Sequence, residues 1–169
     1  MRLLGLAAVC LASGAWAQPV TRAEVSATLV KTEGIFRTVL KLPAKTILAS
    51  SDKAIATRAQ IIDGFYALYT VAKPKFTMSL PPVPYEPKRL AADIKGEPRI
   101  RLEKLIKEGF VAPYGPLATS TGASLTVTEY GDALGQLIAR TMERTHLPSS
   151  AWSPYLQGPN GPPPPKKKG

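Results

Sequence analysis

Thr21-Arg22-Ala23-Glu24 decides how this chain is read, because close variants return at Thr57-Arg58-Ala59-Gln60 and Thr126-Val127-Thr128-Glu129. Each string is Thr-x-x-Glu/Gln, the capping box. Its Thr hydroxyl accepts from the N3 backbone N–H, and the N3 side chain reaches back to the N-cap N–H. Apolar residues follow at matching offsets: Val25 and Leu29, Ile61 and Phe65, Tyr130 and Leu134. The pattern predicts a mainly α protein, a small bundle of about four main helices launched by similar starts and joined by longer irregular segments.

The two ends of the chain set its expected address and domain limits. Met1-Arg2, the apolar run Leu3 to Leu11 and the small-x-small site Ala15-Trp16-Ala17 read as a signal peptide over 1–17, with Gln18 opening the mature chain. A rival reading, a lipoprotein signal ending at Cys10, fits poorly because Val9 rather than a small residue precedes the cysteine. Cys10 is the single cysteine. Its loss with the signal excludes disulfides and thiol chemistry from the mature protein. Residues 148–169 form an expected Pro-rich, basic, disordered tail ending Pro165-Lys166-Lys167-Lys168-Gly169. The folded domain is therefore expected over 18–147. The formal net charge of +10 predicts affinity for polyanions. For an exported chain these are wall polymers, lipid headgroups or other proteins rather than nucleic acid. The basic tail itself is one place where nonspecific polyanion binding could arise.

Between the ends, Val25, Leu29 and Thr32 share one face of a first helix expected from Thr21 to about Glu33, stopped at Gly34. Ile35 to Leu40 reads equally as a continuation of that helix or as a short strand, and Lys45-Thr46-Ile47-Leu48 has strand-like character. The second helix, Thr57 to about Ala72, carries Ile61, Phe65, Leu68, Tyr69 and Ala72 and ends ahead of Pro74. Gly64 within it points to close packing against a neighbouring helix. The proline-studded stretch from Lys73 to Pro98 cannot be helical throughout. Its Phe76, Met78, Leu80, Val83 and Tyr85 favour a packed arm over a solvated linker. A third helix is expected from Pro98 to a Gly109 stop, with Ile100, Leu102, Leu105 and Ile106 on its apolar side. A Gly/Ser/Thr loop then leads to a fourth helix, Thr126 or Thr128 to about Thr145. Trp152 and Tyr155 are candidates to tack the start of the tail onto the domain.

Catalytic and metal signals are sparse. His146 is the single histidine and lies at a helix end, where a cation suits the helix dipole. Glu129 and Asp132 sit one turn apart but read as ordinary first-turn acids. No nucleophile elbow, phosphate-cradling glycine loop or His/Asp/Glu metal spacing occurs. The expectation is a protein that is not an enzyme and takes no cofactor or metal.

Val20-Thr21-Arg22-Ala23-Glu24 and Ala56-Thr57-Arg58-Ala59-Gln60 are similar to the Ile-Thr-Arg-Ala-Glu motif of S-layer homology (SLH) repeats. Ala92-Asp93-Ile94 resembles the Asp-Val start of such a repeat, Leu102 to Gly109 its first helix, and Thr126 to Ile138 its second. The resemblance spans Val20 to Met142. Val127 stands where the motif has Arg, and the first two units lack a recognisable first helix. What it implies is a helical, pseudo-threefold module of degenerate repeats at the cell surface, whose motif arginines hold anionic wall polysaccharide. Only Arg22 and Arg58 inherit that role. Arginine's planar fork of donors beside a helix N-terminus suits carboxylate or phosphate. The alternative is a periplasmic structural or assembly protein that binds a protein partner through its helices and Pro-rich arm.

Overall fold

A computed structural model describes residues 18–156. The expected signal peptide with Cys10 and the tail beyond Leu156 lie outside the described residues. So does the side chain of Tyr155. Six α-helices occur among the described residues: α1 Arg22–Val39, α2 Arg58–Ala72, α3 Gly96–Lys107, α4 Pro116–Thr119, α5 Val127–Thr145 and α6 Ser149–Leu156. The protein is mainly α, as the pattern predicts, and no strand forms among these residues. Lys45 to Leu48 is irregular. None of the helices is long and apolar enough to cross a membrane.

Helix α2 is the spine, packing against α1, α3 and α5. Its Ile61, Ile62, Phe65, Leu68, Tyr69 and Ala72 are all buried. The other core faces follow helical spacing: Val25, Thr32 and Phe36 on α1; Leu102, Leu105 and Ile106 on α3; Tyr130, Leu137 and Thr141 on α5. Ile100 departs from expectation. It is 63% exposed, because the i, i+3, i+4 face set by Leu102, Leu105 and Ile106 leaves it on the far side of α3.

Helix α1 does not stop at Gly34. It runs to Val39, and Phe36 is wholly buried with its ring edge-on to Trp152 at 5.9 Å. Burying a phenylalanine outweighs the roughly 1 kcal/mol that an interior glycine costs. The true stop is a Schellman turn with Lys41 in the left-handed region at φ 52°. There Leu42 N–H donates to Arg37 O at 2.8 Å and Lys41 N–H to Thr38 O at 3.4 Å. Helix α3 opens at Gly96, ahead of Pro98. Pro98 falls in the first turn, where its missing N–H is no loss. Gly109, at φ 80°, follows its C-cap as expected.

The Pro-rich stretch is a packed arm. Thr77 and Met78 N–H donate to Arg144 O, and Val83 N–H donates to Lys107 O at 2.8 Å. Phe76 stacks on Phe110 at 5.5 Å, and the Arg144 guanidinium lies over the Phe76 ring at 5.0 Å. The tail expectation needs correction at its start. Residues 149–156 form α6, and Trp152 is fully buried against α1, so the folded body continues past Leu147. A large aromatic contributes enough buried area to hold a short helix in place.

Gly34 has open space where a Cβ would sit and lies inside a helix. Gly34→Ala should therefore raise stability by about 1 kcal/mol, read as a higher urea midpoint with an unchanged slope. A loss of stability would mean that α1 breaks there.

Candidate functional site

The three capping boxes form as the strings predict, with reciprocal bonds at Thr21/Glu24, Thr57/Gln60 and Thr126/Glu129. Their helices then meet end to end. The N1 amide of each helix donates to the carbonyl of the residue three positions before the next cap. Arg22 N–H donates to Ala54 O at 2.8 Å, Arg58 N–H to Ala123 O at 3.2 Å and Val127 N–H to Gln18 O at 3.0 Å. The ring closes on itself. Inside it Val20, Ala56 and Leu125, the residues just before the caps, are all buried. Ala56 N–H donates to Val20 O, and Val20 N–H donates to Leu125 O.

The two arginines stand at this hub in different states. Arg58 has a side chain only 1% exposed, and its Nη2 lies 2.6 Å from both carboxylate oxygens of Asp93. Arg22 donates from Nη1 to Asp52 Oδ2 at 2.9 Å and remains 41% exposed. Each arginine is thus held by a carboxylate from the segment ahead of a later helix. Neither partner is signalled as one in the sequence, where Asp93 only resembles the start of a repeat and Asp52 only closes a Ser50-Ser51-Asp52 turn. Hydrogen bonds from Arg58 hold the Asp93 carboxyl below its ordinary value. The Ala54 amide, then Arg22, do the same for Asp52, and the Thr21 amide does so for Glu24.

Between α1 and α2, starting at the hub, lies a cavity of about 370 Å³. Arg22, Ser26 and Gln60 line its hub end, and Leu29, Gly64 and Leu68 line its length. Gly64 lets Leu29 approach so closely that a Cβ would lie 2.3 Å from Leu29 Cδ1, which is the close packing expected of it. The irregular strap of residues 42–53 crosses beside the cavity. It contributes Ile47 and is fastened by Ser50 N–H to Ser26 Oγ at 2.8 Å.

A second polar cluster lies at the far side of α2. Glu108 accepts from Tyr69 Oη at 2.9 Å and pairs with Lys104 at 2.6 Å and Arg144 at 3.5 Å. Burial opposes its charge, but the bonds from Lys104 and Tyr69 prevail and hold its carboxyl below the ordinary range. The same burial, reinforced by Glu108, pushes the Tyr69 hydroxyl well above its ordinary value. Every member of this cluster has a partner, so it reads as a brace between α2, α3 and α5. Glu129 is committed to its cap. Among the described residues, no group of three or more His, Cys, Asp or Glu side chains could hold a metal.

Removing Asp93 should harm the fold more than removing its partner's charge. Asp93→Ala strands a buried guanidinium and should cost about 2 kcal/mol. Arg58→Met keeps the volume and leaves a 58% exposed carboxylate free to rehydrate, so its cost should be under about 1 kcal/mol. Urea denaturation of both variants checks the order. The pair also carries a pH signature. Because the folded Asp93 titrates below its ordinary 3.8, its contribution is complete above that value and is lost as pH falls through the folded value. The stability gap between the native chain and Asp93→Asn should therefore shrink between about pH 5 and pH 2. A gap that stays constant over that range would contradict the pairing.

In comparisons with known proteins, no family model, curated protein or solved structure matches the chain.

Proposed function

We propose that this chain is an exported, non-catalytic SLH-like module that holds an anionic polymer of the cell wall or an anionic envelope partner. The observation that carries the proposal is the closed ring of three capped helix starts. Each start donates from its N1 amide to the segment ahead of the next, the arrangement expected of three repeats of one unit. The ring brings three helix N-termini together, a setting that favours negative charge. Arg22 offers an accessible guanidinium there.

The two motif arginines divide the work in this reading. Arg22 contacts the ligand, exchanging part of its solvent-exposed pairing with Asp52 for the ligand's carboxylate or phosphate. Arg58 is a positioning residue, since its buried guanidinium fastens the second helix start to Asp93. The single histidine, His146, is the exposed left-handed C-cap of α5, a position that suits a helix-terminating role.

Co-sedimentation of the protein with purified cell-wall material tests this. Pelleting should be strong at low salt and weak at high salt. Arg22→Ala should reduce it about tenfold, and Arg58→Met should largely preserve it. Failure to pellet at low salt, or pelleting indifferent to Arg22, would overturn the assignment.

A further inference from the structure

We infer that the cavity between α1 and α2 is a binding site for the acyl chain of an anionic amphiphile, with its head at the hub and its chain along the helices. This goes beyond wall binding and does not require it. The cavity's volume, about 370 Å³, lies in the range of small-ligand sites. Its two ends differ. Along its length the walls are Leu29, Val30, Gly64, Ala67 and Leu68, and the strap adds Ile47. Leu29 packs onto Gly64, and the short side chain of Ala67 leaves room beside it that a larger residue would fill.

The hub end is polar. Arg22, Ser26, Ser50 and Gln60 line it, and the N-termini of α1 and α2 lie there. Arg22 uses Nη1 on Asp52, while its Nε is shielded from solvent and has no protein partner. A buried guanidinium N–H calls for an acceptor. A carboxylate or phosphate monoester head supplies one. At the opposite end Glu33 is paired with Arg37 at 2.6 Å, so among the described residues that end offers no unpaired cation to a second anionic group. A single chain with one anionic head fits this polarity; a neutral or doubly charged chain does not. The occupant enters past the strap, whose Leu48 is 88% exposed and whose backbone forms no regular structure.

The test is a titration of the purified protein with cis-parinaric acid, whose fluorescence rises in an apolar site. Saturable enhancement is expected. Displacement by palmitate and by a monoacyl glycerol phosphate separates the two possible heads, and hexadecanol is the neutral control. Ala67→Phe narrows the channel while leaving Arg22 and the hub intact, and should weaken binding about tenfold or more. Arg22→Ala should weaken the acids about tenfold and leave hexadecanol unchanged. Circular dichroism confirms that both variants fold. Absence of saturable enhancement, or enhancement indifferent to Ala67→Phe, would overturn the site. Hexadecanol competing as well as palmitate would overturn its head-group end. Ala67→Phe should still pellet with wall material, so failure of this inference and failure of wall binding are read separately.

Discussion

Unpaired amides at the start of a helix are the constraint from which the rest of this structure follows. The first four N–H groups of an α-helix have no partner within it, and here three helices start at one place. Helix α1 illustrates the solution. Its N1 amide goes to Ala54 O, its N2 amide to Asp52 O and its N3 amide to the Thr21 hydroxyl. The N1 amides of α2 and α5 are satisfied in the same cyclic manner. Each start is therefore complete only when the next is in place, and distant parts of the chain are joined by backbone donors that no substitution short of proline removes.

That solution concentrates positive charge. Three helix N-termini meet, each carrying about half an elementary charge, and a buried guanidinium joins them. The carboxylates of the region answer this field. Glu24 and Glu129 act within their caps, while Asp52 and Asp93 sit on the two arginines. The depressed titration of Glu24, Asp52 and Asp93 arises from amide and guanidinium donors pointed at them. Carboxylates here complete the fold, which leaves them poor candidates for acid–base chemistry.

The parts of the fold legible in the sequence were those written in local chemistry. Capping boxes lie within four residues, so Thr21, Thr57 and Thr126 reveal three helix starts unaided. Gly109 and Pro74 mark helix ends by equally local rules. What needed tertiary contact was hidden. Gly34 looks like a stop until Phe36 is seen packed on Trp152, a partner from the far end of the chain. The same contact makes a helix of a segment whose prolines suggested a tail, with Trp152 and Tyr155 the local hints that its start is tacked onto the domain. The ring of N1 bonds was also illegible, because its acceptors are backbone carbonyls of Ala54, Ala123 and Gln18, which carry no side-chain signal.

Arg22 and Arg58 show why equal motifs need not have equal roles. Both are N1 residues followed by Ala and a cap acceptor, and the sequence treats them alike. Tertiary position separates them: Asp93 closes over a guanidinium already removed from solvent, whereas Asp52 meets one that is still wet. Burial raises the cost of leaving a charge unpaired, so Arg58 is bound to its structural partner. An exposed pair contributes little and exchanges partners readily, so Arg22 is tied to Asp52 far less firmly than Arg58 is to Asp93. Val127 at the third start has no charge to offer. The ring is symmetric in its backbone and asymmetric in its chemistry. That asymmetry confines accessible guanidinium chemistry at the hub to the mouth of the α1–α2 cavity.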